Sequence, residues 1–430
     1  MNPIFVAVSL ALLILQGCSM NGGDTQLIPS GDSGTDDPPP SSPCTLTVGP
    51  EGEFIPQDTI TSATRELCQS VFHATAGANG STLKVTLDSW QGEGAVNLRI
   101  TDLLGESVAE LEGGTEGSWI QFQLDRSGEF LVYIEPTDPE ADPNEYSLST
   151  TCVAACREFT RYPIVFFHGM AGTDSFLGIM DYWYGVTPVL SEAGYLTQMP
   201  PGGALAEPSQ RAEQFSAALD VMEEEGLGRR FNLIAHSQGG VDARYLISAM
   251  NQGERIASLT TIASPHRGSP FADILGGTIF SIPGFNQLVD EALTEFTELL
   301  GLGPGELAEA TKSVTVEAME EFNETILDSD DTAYFSWSGR TCGYAELICQ
   351  ADNNGEVVDP MFWASYRLVD AIAGPNDGLV PIESAQWGEH LGTLPADHLD
   401  EVGLLFGQSG TFDHEGFYLS EARRIAEEGF

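Results

Sequence analysis

The pentapeptide Ala235-His236-Ser237-Gln238-Gly239 carries the strongest chemical signal in this sequence. A serine with small residues two places before and two places after suits a sharp strand–turn–helix. This is the G-x-S-x-G pattern with alanine in its first place, where larger side chains would crowd the backbone. Apolar residues 231–235 read as the strand and residues 240–250 as the helix. In that setting Ser237 is the expected nucleophile toward a carbonyl carbon, and amides at the helix N-terminus face the oxyanion that forms. The N–H of Gln238 is the first expected oxyanion donor. The second is the N–H of Met170, because Phe167-His168-Gly169-Met170 follows the apolar run 164–167 and Gly169 permits a close turn. The chain order at such a site is serine, then acid, then histidine. Asp377, in Asn376-Asp377-Gly378, is the expected acid that orients an imidazole. Two histidines follow it, His398 and His414; the residue pattern leans to His398 as base, at the start of an expected helix. His168 is expected to bond loop backbone, His266 to shape the cleft, His390 to lie at the surface and His73 to be structural.

These residues need a scaffold. After Cys156, apolar strand-like runs alternate with amphipathic helices, which predicts an α/β domain over residues 157–430 with a mostly parallel sheet. Residues 209–225 place Ala212, Phe215, Ala218, Leu219 and Met222 on one helical face, and residues 259–263 read as another strand. Residues 271–285 are apolar, and Phe296, Leu299, Leu300 and Leu302 follow on an otherwise acidic helix; the plain reading is a helical cap. Residues 44–156 have a different texture. Short alternating runs at 83–87, 95–100 and 130–134, separated by glycine clusters, predict a small all-β sandwich ahead of the α/β domain. The acidic loop 138–145 reads as solvated rather than cation-binding. Residues 19–43, rich in Ser, Gly, Asp and Pro, read as a flexible spacer.

A length of 430 residues suits two domains. Seventeen Lys and Arg against 64 Asp and Glu leave a net charge of −47, and Lys84 and Lys312 are the only lysines. With no basic stripe, nucleic acid is excluded as a partner and electrostatic docking onto anionic lipid is disfavoured. Residues 4–15 are apolar except for Ser9, too short a run to span a bilayer, and read as an export signal. Leu15-Gln16-Gly17-Cys18 resembles the lipobox of bacterial lipoproteins. That implies a signal peptide over residues 1–18, lipid on Cys18, and anchoring in the bacterial cell envelope at the outer membrane or cell surface. Six further cysteines in an oxidising compartment predict disulfides. Cys342 and Cys349, close to each other and far from the rest, are expected to pair. Cys44, Cys68, Cys152 and Cys156 allow three pairings, with zinc as a weaker reading.

Six blocks in order carry a family resemblance: residues 162–170, Asp181-Tyr182-Trp183-Tyr184-Gly185, residues 232–240, Ala263-Ser264-Pro265-His266-Arg267-Gly268-Ser269, residues 334–339, and the pair formed by 376–380 with His398-Leu399-Asp400-Glu401-Val402. They resemble the true lipases of Pseudomonas and Burkholderia. The resemblance implies an α/β-hydrolase fold and hydrolysis of triacylglycerol esters with no cofactor for the chemistry. It implies Ser237 as nucleophile, Asp377 as acid and His398, not His414, as base. It also implies a lid over residues 271–305 that opens onto lipid, and a dedicated folding helper as a partner. The family's structural calcium would fall to Asp359 and Asp400, although Leu404 stands where the family has a glutamine ligand. Glu383 stands near the family's second disulfide cysteine, so Cys342–Cys349 is a local replacement. The competing readings are a short-chain esterase, amidase or polyester depolymerase on the same residues, and a non-catalytic surface binding protein.

Overall fold

Period-two alternation builds the N-terminal half. In the computed structural model, described for residues 47–430 apart from 67, 93, 139–144, 173–174, 177–179, 277–285, 301, 405–406 and 408, two sheets face each other. One orders Thr47–Glu51, Gln69–Gly77, Gly128–Pro136, Val96–Thr101 and Ser107–Gly114; the other orders Ile60–Thr64, Glu145–Ala154, Thr82–Gln91 and Trp119–Gln123. Neighbours are antiparallel except Thr47–Glu51, which runs parallel to Gln69–Gly77. Leu83, Val85 and Leu87 from one sheet and Leu98, Ile100 and Val132 from the other share a core of their own. The expected export signal, Cys18, the spacer and Cys44 lie outside the described residues, as does most of the acidic loop 138–145.

The second half is built on a six-stranded, wholly parallel sheet ordered Thr197–Gln198, Ile164–Phe167, Phe231–His236, Ile256–Ile262, Ala333–Gly339 and Glu389–Leu394. Its central strands are buried throughout, because helices cover both faces. The helix Pro208–Glu224 turns Ala212, Phe215, Leu219 and Met222 onto one face. The helices Val186–Ala193, Trp363–Ala373 and His414–Glu427 join the core on the other. The helix expected over 240–250 starts earlier, at Gln238, and its end widens into a π-helical turn, Tyr245–Ala249.

The all-β part and the α/β part pack into one compact unit. Glu129 of the sandwich, almost fully buried, receives both Arg161 at 2.7 Å and Arg229 at 2.9 Å, and Arg229 also reaches Glu51 at 2.6 Å. Of the open cysteine pairings the structure has Cys152–Cys156, with Cys68 also disulfide-bonded, and Cys342 pairs with Cys349. No described helix is long and apolar enough to cross a membrane.

Candidate active site

The strand Phe231–His236 ends directly at Ser237, and the helix Gln238–Arg244 begins directly after it. That abrupt reversal forces Ser237 to φ 54° and ψ −132°, a conformation costly for a residue with a Cβ. A side chain at Gly239 would collide with the carbonyls of Phe167 and His168, the latter at 2.8 Å, so the elbow requires glycine there. A Cβ on Gly169 would lie 2.7 Å from the Ser237 Cβ. The Gly169–Met170 backbone therefore lies against Ser237, and Met170 lines the same pocket. Gln238 is the first residue of the helix, so its N–H is among the free amides at that terminus.

Asp377 and His398 arrive on two loops stitched to each other, with the His398 N–H donating to the Asp377 carbonyl at 2.9 Å. The Asp377 carboxylate is wholly buried. Its Oδ1 accepts from the N–H groups of Leu379 at 2.8 Å and Val380 at 2.7 Å, and its Oδ2 meets His398 Nδ1 at 2.8 Å. The other ring nitrogen, Nε2, lies 2.9 Å from Ser237 Oγ. Asp397 fixes the His398 turn by accepting from the N–H groups of Leu399 at 3.0 Å and Asp400 at 3.1 Å. The helix expected from His398 is a single 3₁₀ turn, Asp400–Val402, because Gly403 turns left-handed with φ 67°.

The remaining histidines lie elsewhere. His414 Nε2 bonds the Tyr184 carbonyl at 2.9 Å and its Nδ1 meets Ser409 Oγ at 3.1 Å, away from Ser237. His168 bonds loop backbone, through Nδ1 to the Gly169 carbonyl and through Nε2 from the Gly202 N–H. His73 is held by the Glu53 carbonyl and the Tyr146 hydroxyl. His390 is only partly exposed and reaches Ser336 Oγ at 3.3 Å. His266 corrects its expectation. It is buried behind the cleft wall on Thr261 Oγ1, and its neighbour Pro265 lines the pocket instead.

Three features were not singled out from sequence. His236, inside the pentapeptide, bonds the Tyr182 hydroxyl at 2.7 Å and Glu401 Oε2 at 2.9 Å. Glu401 is wholly buried, 3.9 Å from His398 Nδ1. Burial and the neighbouring Asp377, Asp397 and Asp400 push its carboxyl well above the usual range, while burial and His398 hold the His236 imidazole well below its own. Both shifts run toward the uncharged form of each group, in the layer behind His398. Beneath the Gly169 loop, Arg211 donates to Asp242 Oδ2 at 2.6 Å and to the His168 and Gly203 carbonyls.

The pocket above Ser237 and His398 is apolar, walled by Phe271, Leu275, Phe296, Leu307, Phe362 and Leu404. Phe271 belongs to the helix Pro270–Leu275 and Phe296 to Asn286–Leu300, and their rings meet at 4.7 Å. These helices turn their apolar faces inward over Ser237, while residues 277–285 and 301 of the expected lid lie outside the described residues.

The carboxylates expected to hold calcium regroup. Glu356, Asp397 and Asp400 bring one oxygen each within 4.8 Å of one another, all buried, whereas Asp359 meets the group through its N–H on Asp397 Oδ2 at 2.9 Å. Leu404 faces the substrate pocket. Burial and mutual repulsion push Asp397 up to about 7, Glu356 to about 8 and Asp400 to about 9. Three clustered, buried acids suit a hard divalent ion with oxygen ligands.

A family model described as palmitoyl protein thioesterase matches residues 163–283. A triacylglycerol lipase of Pseudarthrobacter phenanthrenivorans is 29% identical over 294 residues, 58% of this chain and 91% of the relative. A triacylglycerol lipase of Burkholderia plantarii is 29% identical over 294 residues, 58% of this chain and 81% of the relative. Among solved structures, a Bacillus licheniformis lipase in its mature form is 18% identical with TM-score 0.43, covering 62% of this chain and 91% of that one. By sequence this chain is similar to bacterial triacylglycerol lipases, and its C-terminal part has the α/β-hydrolase fold.

Proposed function

We propose that this chain is an exported carboxylic ester hydrolase, a triacylglycerol lipase that works through an acyl-enzyme on Ser237, His398 and Asp377. Ser237 Oγ attacks the ester carbonyl carbon while His398 Nε2 takes its proton. The N–H groups of Met170 and Gln238 hold the oxyanion as it develops. The imidazolium, stabilised by Asp377, returns the proton to the departing alcohol. Water then attacks the acyl-enzyme by the reverse choreography and releases a carboxylic acid. The apolar pocket takes the acyl chain, and movement of the 271–305 cap admits it. No cofactor takes part in the chemistry. A calcium ion would be held by Asp400 with Glu356 and Asp397, beside Asp359, and would neutralise the acids that brace the His398 turn. Lipid on Cys18 would anchor the enzyme at the cell envelope, and a folding helper would assist it.

The observation that carries this reading is the relay of 2.8 Å and 2.9 Å from Asp377 through His398 to Ser237, under an apolar pocket. Hydrolysis across acyl length tests the lipase reading. It expects turnover of long-chain triacylglycerol emulsions as well as short nitrophenyl esters. Activity confined to short soluble esters would leave an esterase and remove the lid from the account.

A further inference from the structure

Leu347 and Ile348 are exposed at 73% and 81%, more than any other large hydrophobic side chain among the described residues. They are consecutive on the short helix Leu347–Asp352, within the loop closed by Cys342–Cys349. Tyr344 of the same loop is half exposed and meets the Trp363 ring at 5.2 Å. Single exposed hydrophobics are ordinary; two adjacent ones on a covalently closed loop that also carries the half-exposed Tyr344 form a patch. The ring closure restricts the loop and keeps these side chains outward.

Tyr344 and Trp363 tie the loop to the wall of the pocket. Trp363 directly follows Phe362, which lines that pocket and stacks on Phe296 of the cap at 5.9 Å. Trp363 also opens the helix Trp363–Ala373, which packs against the cap helix Asn286–Leu300. The loop thus meets Trp363 through Tyr344, and Phe362, the residue before Trp363, lines the pocket over Ser237.

We propose that the Cys342–Cys349 loop is an interfacial wedge, with Tyr344, Leu347 and Ile348 entering an uncharged lipid–water interface and holding the pocket beside it. The proposal rests on the lipase reading of the site. Charge selects the occupant. A net charge of −47 repels anionic lipid and equally repels a second copy of the chain, which leaves a zwitterionic or neutral lipid surface. Within the loop, Glu346 is balanced by Arg367 at 3.4 Å and bonded to the Tyr366 hydroxyl at 2.6 Å, so it does not oppose insertion.

The test uses the exported full chain carrying Cys18→Ser, which removes any acyl anchor, with and without Leu347→Ser/Ile348→Ser. Co-sedimentation with phosphatidylcholine vesicles reads the wedge, and hydrolysis of soluble p-nitrophenyl butyrate reads the catalytic site. The double substitution is expected to lower vesicle partitioning by at least about tenfold, since two side chains lose their transfer from water. It leaves butyrate hydrolysis and Tm unchanged and slows hydrolysis of emulsified triolein. Leu347→Met/Ile348→Met keeps the partitioning and controls for folding. Unchanged partitioning in the serine variant, or no partitioning of the parent, overturns the wedge. So does a dimer that the serine variant dissolves without any vesicle binding. A parent that binds vesicles but hydrolyses neither ester removes the lipase reading and leaves the wedge standing.

Discussion

Asp377→Asn tests whether one carboxylate sets the tautomer of the working histidine. Asp377 accepts three hydrogen bonds, two from the backbone N–H groups of Leu379 and Val380 on Oδ1 and one from His398 on Oδ2. An asparagine has one oxygen to distribute. Turning its amide nitrogen toward the two backbone N–H groups would forfeit both bonds and set donor against donor, at a cost of about 1–3 kcal/mol for each orphaned group. The oxygen therefore stays on the backbone and the NH₂ faces His398 Nδ1. The imidazole must then accept at Nδ1 and carry its proton on Nε2, which points that proton at Ser237 Oγ. It can no longer take the serine proton. The expected loss in kcat is roughly 10⁴-fold, about 5.5 kcal/mol of transition-state stabilisation. Because the backbone bonds survive, Tm should change little. The assay is steady-state hydrolysis of p-nitrophenyl butyrate, with thermal unfolding alongside. A loss below tenfold in a folded variant would refute the tautomer argument and turn attention to Glu401, 3.9 Å from the same nitrogen.

Three further outcomes are expected. Glu401→Gln should keep kcat within about threefold, because burial and the neighbouring acids already push Glu401 toward its uncharged form; a large loss would mean that its charge is used. Gly239→Ala should cost at least about 100-fold in activity, since its Cβ would press on the carbonyls of Phe167 and His168, which are backbone and cannot swing aside. The acids near His398 give a pH signature in chelator. Asp397, Glu356 and Asp400 are raised to about 7, 8 and 9, above their unfolded values. Between pH 6.5 and 8.5 the native state therefore binds more protons than the unfolded state, so stability is lost as pH rises. Tm in chelator should fall across that window, and calcium should restore it more at pH 8.5 than at 6.5. A Tm that ignores calcium at both values would remove the cation from the account.

The legible part of the molecule is the part with local patterns. Period-two runs such as 83–87 announced the sandwich, and apolar strands between amphipathic helices announced the parallel sheet, because burial repeats with the geometry of each element. The sharp turn at Ser237 was legible because a backbone reversal restricts residue types around it. Glu401, Glu356 and Asp397 were not, because a chain with 64 acidic residues gives no contrast to three that are buried. Tyr182 and His236 were in view as motif residues, yet their bond joins positions 54 residues apart and has no sequence signature. The same holds for Arg211 on Asp242 beneath the oxyanion loop, 31 residues apart. His266 misled because it lies in a motif loop; only the fold shows its ring turned onto Thr261.

The central claim is that Ser237 becomes a nucleophile because His398 and Asp377 converge on it. Reaction with a fluorophosphonate, followed by mapping of the adduct, tests this most directly. One covalent label per chain is expected, on Ser237, lost in Ser237→Ala and strongly slowed in His398→Ala. A folded chain that takes no label, or carries it on another serine, would contradict it.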